Sequence, residues 1–126
     1  MSTSTGGNGG GVRIAFSAPP QVVEQGPDRI SIEWIGVNRG SATAPAKTIT
    51  DVVTVNDRAL KLTLHQDLTP GSSYASAFPI ARLLARGPNR VSLELDADGT
   101  RLGPTEERQW AATVDYGEDG TISVSP

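Results

Sequence analysis

Short runs in which every second residue is apolar recur along this chain, and each ends at a turn signal. In "RISIEWIGV", Ile30, Ile32 and Trp34 share one face while Arg29, Ser31 and Glu33 share the other. "ALKLTL" sets Leu60, Leu62 and Leu64 on one side, "RVSLEL" does the same with Val91, Leu93 and Leu95, and "QWAATVDY" aligns Trp110, Ala112, Val114 and Tyr116. "VRIAF", "TITDVVTV", "SSYASAF" and "TISVS" are further segments of this kind, with Tyr74 and Phe78 on one face of the third and Ile122 and Val124 in the last. Asn56-Asp57, Thr69-Pro70-Gly71, Gly87-Pro88-Asn89, Asp98-Gly99 and Asp119-Gly120 separate them. A strand that is apolar on one face must bury that face against a second sheet. The expected fold is therefore all-β, an immunoglobulin-like antiparallel β-sandwich of about seven to nine strands. Both tryptophans read as core.

One segment departs from the period of two. "PIARLLARGP" opens on Pro79, spaces Ile80, Leu83 and Leu84 at helical intervals, and stops at Gly87-Pro88. Proline suits a first helical position and glycine the residue after a last one. A short helical turn closing one end of the sandwich is expected. Residues 1–11, "MSTSTGGNGGG", form an N-terminal arm of Ser, Thr, Gly and Asn that buries too little apolar surface to offset its ordering entropy. Residues 12–126 are then one sandwich domain, a size that carries a single core.

Charge and composition exclude several classes of function. Eleven basic and 14 acidic residues are scattered and sum to −3, with no basic stripe of the kind that follows a phosphate backbone, so no nucleic-acid partner is expected. No apolar run approaches the roughly 20 residues of a membrane span. The start has neither a basic region nor an apolar segment, which predicts a protein made in the cytoplasm unless a signal has been removed. Cysteine is absent, which removes disulfides and thiolate metal sites.

Several residues together match a known pattern. Asn38 and Gly40 stand in "NRGSATA", Leu68, Pro70 and Gly71 in "LTPGSS", Gly87 and Asp96 at the ends of "GPNRVSLELDADG", and Glu106 and Glu107 in the acidic "PTEERQ". Over about residues 29–109 the chain resembles the cell-adhesion-related domain found in bacteria, CARDB. Arg108 and Gln109 stand where that family has paired asparagines, and the strand at 121–125 lies beyond its usual pattern. The resemblance implies an immunoglobulin-like sandwich and a non-enzymatic module, often repeated in large surface proteins.

Candidate chemistry is sparse. His65, the single histidine, follows Leu64 in the alternation and should point outward, with no nucleophile-elbow pattern to accompany it. Asp96, Asp98, Glu106 and Glu107 fall on one loop without an aromatic platform, and the alternation places them outside. That loop has two readings. Counted from Asp96 as position one of a calcium loop, Asp98, Thr100, the Leu102 carbonyl and Glu107 fall at positions three, five, seven and twelve. Arg101 holds the position that wants glycine, and Asp-Gly is ordinary turn chemistry, which favours a plain turn between strands. No enzyme, cofactor or metal is expected.

Two features suit contact with another protein. Ile35 and Val37 fall on the outward face of their strand unless Gly36 forms a bulge that turns one of them in. The arm is the second: Ser2, Thr3 and Asn8, with Val12 and Arg13 where it joins the domain, could dock on a neighbour. The expected function is that of a structural or accessory subunit, of decoration or tail type, in a larger assembly such as a virion. Its partners would be other subunits, met through the arm or a sheet edge. A bacterial surface adhesion or ligand-binding module of CARDB type is the alternative.

Overall fold

The computed structural model describes residues 11–97, 99 and 104–126. Among them the chain forms nine strands: β1 Ile14–Phe16, β2 Gln21–Glu24, β3 Ile30–Asn38, β4 Thr50–Val55, β5 Arg58–Thr63, β6 Ser73–Pro79, β7 Gly87–Glu94, β8 Gln109–Tyr116 and β9 Ile122–Ser125. Ala81–Leu83 and Thr105–Glu107 are 3₁₀ turns. Every strand pairing is antiparallel. The larger sheet runs β9-β8-β7-β4-β5 and the smaller contains β1, β2, β3 and β6.

The smaller sheet is three strands wide. Ile32 faces Val22 on one side and Phe78 on the other, and Gly36 likewise faces Phe16 and Tyr74. β1 and β2 therefore lie end to end along one edge of β3, and β6 along the other. Pro19 and Pro20 fall between β1 and β2. Proline cannot donate to a ladder, so the interruption belongs on an edge.

The alternation read from the sequence is the alternation that folds. Ile30, Ile32 and Trp34 of the smaller sheet share one core with Val53, Val55, Val91, Leu93 and Val114 of the larger. Each such side chain contributes about 1.5–3 kcal/mol by leaving water. Trp34 is buried, whereas Trp110 packs half-buried against the cluster. Ile80 is fully buried and the 3₁₀ turn after it sets Leu83 and Leu84 against the core, so a short helical turn does close one end, but it spans only Ala81–Leu83, with Pro79 still in β6 and Gly87 already in β7. No helix among the described residues is long and apolar enough to cross a membrane.

β2 was not evident in the sequence, where "QVVE" after two prolines carries no alternation. Pairing with β3 makes it a strand. Gly36 does not form a bulge, since the β3–β6 register passes without a break from Ser31 opposite Pro79 to Val37 opposite Ser73.

Candidate interaction surface

The arm enters the domain at a crossing built around one asparagine. Asn38 ends β3 with its side chain fully buried. Its Nδ2 donates to the carbonyls of Ala42 (2.8 Å) and Leu68 (3.0 Å), and its Oδ1 accepts from the Gly40 N–H (2.9 Å) and, more loosely, from Arg13 N–H (3.4 Å). Its main chain closes the same knot: Gly71 N–H donates to Asn38 O and Asn38 N–H to Ser72 O. The Gly11 carbonyl accepts from Ser41 and Ala42, so Gly11 already belongs to the domain. Gly40 is glycine because a Cβ there would lie 2.1 Å from Gly11 O and 2.8 Å from Arg13 N. The Asn-x-Gly and Leu-x-Pro-Gly segments thus meet in space as one end-cap.

Arg13 then reaches across to the 3₁₀ turn that precedes β8. Its guanidinium holds both carboxylate oxygens of Glu107, Nε to Oε2 at 2.9 Å and Nη2 to Oε1. The pair faces solvent, and Glu107 keeps the Arg13 guanidinium charged to still higher pH than usual. Val12 is half-buried against the core rather than turned outward. Ser2, Thr3 and Asn8 lie outside the described residues.

Ile35 and Val37 do share the outer face of β3. Ile35 is 43 % exposed, and Val37, register partner of the buried Ala15, is half-buried. The outward residues of β3 and β6 are Ser31, Glu33, Ile35, Val37, Ser73, Ala75, Ala77 and Pro79, with Glu33 the single charge. A shallow groove of about 420 Å³ crosses this face, with Ala18 and Pro19 on one side, Ala75 and Ala77 on the other, and Glu33 and Ile35 between them.

Beneath that face lies a polar cluster which the sequence reading did not find. Asp51, on an inward position of β4, is 3 % exposed. Its Oδ2 accepts from Trp34 Nε1 (2.9 Å) and Tyr74 OH (2.6 Å), and its Oδ1 from the Asp96 N–H (3.0 Å). These bonds join β3, β6, β4 and the turn after β7. Gly36 makes room for Tyr74: a Cβ there would meet the tyrosine ring at 2.5 Å. Burial pushes the Asp51 carboxyl up, against the three donors, which favour its ionised form. Burial, reinforced by Asp51, likewise pushes the Tyr74 phenol far above its ordinary value.

Asp96 corrects one expectation. It was placed outside and is fully buried. The chain turns through a left-handed conformation there (φ 52°), which folds the residue after Leu95 back under the sheet. Asp51, Asp96, Trp34 and Tyr74 are all buried. Glu106 is exposed and His65 is exposed, as the alternation predicts. Of the calcium-loop positions, Asp98, Thr100 and Leu102 lie outside the described residues, and Glu107 is engaged by Arg13. Among the described residues no group of three or more acidic or histidine side chains could hold a metal.

No family model matches the sequence, and neither a curated protein nor a solved structure matches the chain. The structure brings Arg13, Ile35 and Val37 onto one sheet and its margin. Asn38 was legible only as part of a motif, and Asp51 only as a polar residue in phase with Val53 and Val55.

Proposed function

We propose that this protein is a non-enzymatic interaction subunit that joins a larger protein assembly, such as a virion, as a decoration or tail-type component. The observation that carries this reading is the pairing of a fixed arm base with a largely apolar face whose one charge is Glu33. Gly11 and Arg13 are locked to the 38–42 loop, so the arm leaves from a set point, beside a sheet whose outer rows hold Ile35, Val37, Ala75 and Ala77. Exposed apolar residues grouped on one face mark contact surfaces more often than solvated ones.

The immunoglobulin-like reading is supported by strand order. β3 to β4, β5 to β6 and β6 to β7 each pass from one sheet to the other, as Greek-key sandwiches require. A surface module of CARDB type is the second reading. Its motif residues Asn38, Gly40, Leu68 and Gly71 act here as an end-cap, so they speak for the fold rather than for a ligand.

Removing residues 1–10 while keeping Gly11 tests the first reading. Light scattering across a concentration range should show the full chain in a defined oligomer and the truncated chain in a smaller one. Equal masses for both chains would remove the arm from the reading.

A further inference from the structure

From the geometry of β6 we propose that its open edge pairs with the same strand of a second copy, joining two smaller sheets into one. This deepens the assembly reading above and rests on it.

Among the described residues, β6 bonds only to β3. Two bonds bracket that ladder: Asn38 N–H to Ser72 O at 3.0 Å and Ile80 N–H to Ile30 O at 2.9 Å. Main-chain polar groups alternate sides along a strand, so Tyr74, Ser76 and Phe78 turn theirs toward β3. Ser73, Ala75 and Ala77 turn theirs to the open side, where they bond to none of the described residues. Pro79 also faces that side, where its missing N–H interrupts no bond to β3.

The other edges are guarded. β5 carries Arg58 and Lys61, the edge formed by β1 and β2 is broken at Pro19-Pro20, and β9 is four residues long. Charges, prolines and short length are the devices that keep sheet edges from pairing. β6 spans seven residues without a charge and without a bulge, and its one proline, Pro79, stands at the last position.

The edge is also self-complementary. Antiparallel pairing about a two-fold axis, with Ala75 opposite Ala77 of the second copy, gives every open N–H an acceptor. Ser73 N–H then meets the Pro79 carbonyl; Pro79 has no N–H to return, so the exposed Ser73 carbonyl stays with water at each end of the ladder. Tyr74 falls opposite the half-buried Phe78 on the inner face, an aromatic cross-strand pair. On the outer face the exposed alanines meet with no like charges opposed. An edge contact of this length falls at the small end of interface sizes, so the dimer is expected to be weak, with a Kd on the order of 10 µM to 1 mM.

The test is sedimentation or light scattering of the full chain from roughly 10 µM to 2 mM, a range that brackets that Kd. The comparison is with A75K/A77K, which sets lysine opposite lysine on exposed positions. Dimerisation that weakens on the order of tenfold or more in the lysine variant supports the proposal. So does its recovery when that variant is mixed with A75E/A77E. Hydrogen exchange at the Ala75 and Ala77 amides should slow as concentration rises. A wild-type chain that stays monomeric throughout, or a dimer unchanged by the lysines, overturns it. A mass that falls on removal of residues 1–10 but not with A75K/A77K leaves the arm reading standing and removes this one. The reverse pattern removes the arm reading alone.

Discussion

At the scale of single residues, two positions show what burial and backbone strain do here. Asp51 has three donors and almost no water. Its pKa in the folded chain is raised by burial above the ordinary value near 3.9. The folded state then binds the proton more tightly than the unfolded state. The stability it contributes is present below the unfolded pKa and is lost as pH rises through the folded one. Urea unfolding of the wild type and Asp51→Asn from about pH 4 upward should therefore show the gap moving in favour of the variant as pH rises. A gap constant with pH would mean that Asp51 titrates alike in both states. Trp34→Ala removes both a core ring and one of those donors, and should cost roughly 3–5 kcal/mol in the same assay. A cost under about 1 kcal/mol would contradict the register that buries it. Lys47 holds a left-handed conformation (φ 67°) that a side chain resists, so Lys47→Gly should leave stability unchanged or raise it by up to about 1 kcal/mol. A clear loss in thermal melting would show that the lysine side chain contributes more than the strain costs.

At the scale of elements, the ends of the sandwich are held by two asparagines that bond across long stretches of chain. Asn38 ties the arm base, the 38–42 loop and the 68–72 turn. Asn89, at the start of β7, accepts from Ala85 N–H and Asn56 Nδ2 and donates to the carbonyls of Ala85, Gly87 and Val114. Each replaces main-chain partners that a ladder cannot supply where strands diverge. Asn38→Ala leaves the carbonyls of Ala42 and Leu68 without their donor and should destabilise by about 2–4 kcal/mol, with faster hydrogen exchange confined first to residues 11–13 and 38–44. Exchange that quickens evenly through the domain would instead show that the cap and the core open together. The asparagines could be seen in the sequence only as turn formers. Their partners lie up to 30 residues away for Asn38 and 33 for Asn89, so no local pattern encodes them.

At the scale of the whole molecule, the unequal widths of the two sheets decide what is left uncovered. β9 is the outermost strand of the wider sheet. Val124 there is the register partner of the fully buried Val114, yet it remains 45 % exposed because the smaller sheet does not extend over it. The sequence by itself determined that this chain is all-β, which faces of its strands are apolar, where the turns fall and that one helical turn closes an end. These are local properties, since a period of two and a turn residue act within a few positions of the chain. Only the tertiary structure decided that "QVVE" is a strand, that Asp51 and Asp96 are buried and that Gly36 faces Tyr74. It alone also decided which strands are edges. Those depend on what lies beside each strand in space, and in an antiparallel sandwich that neighbour is set by pairing between segments far apart along the chain.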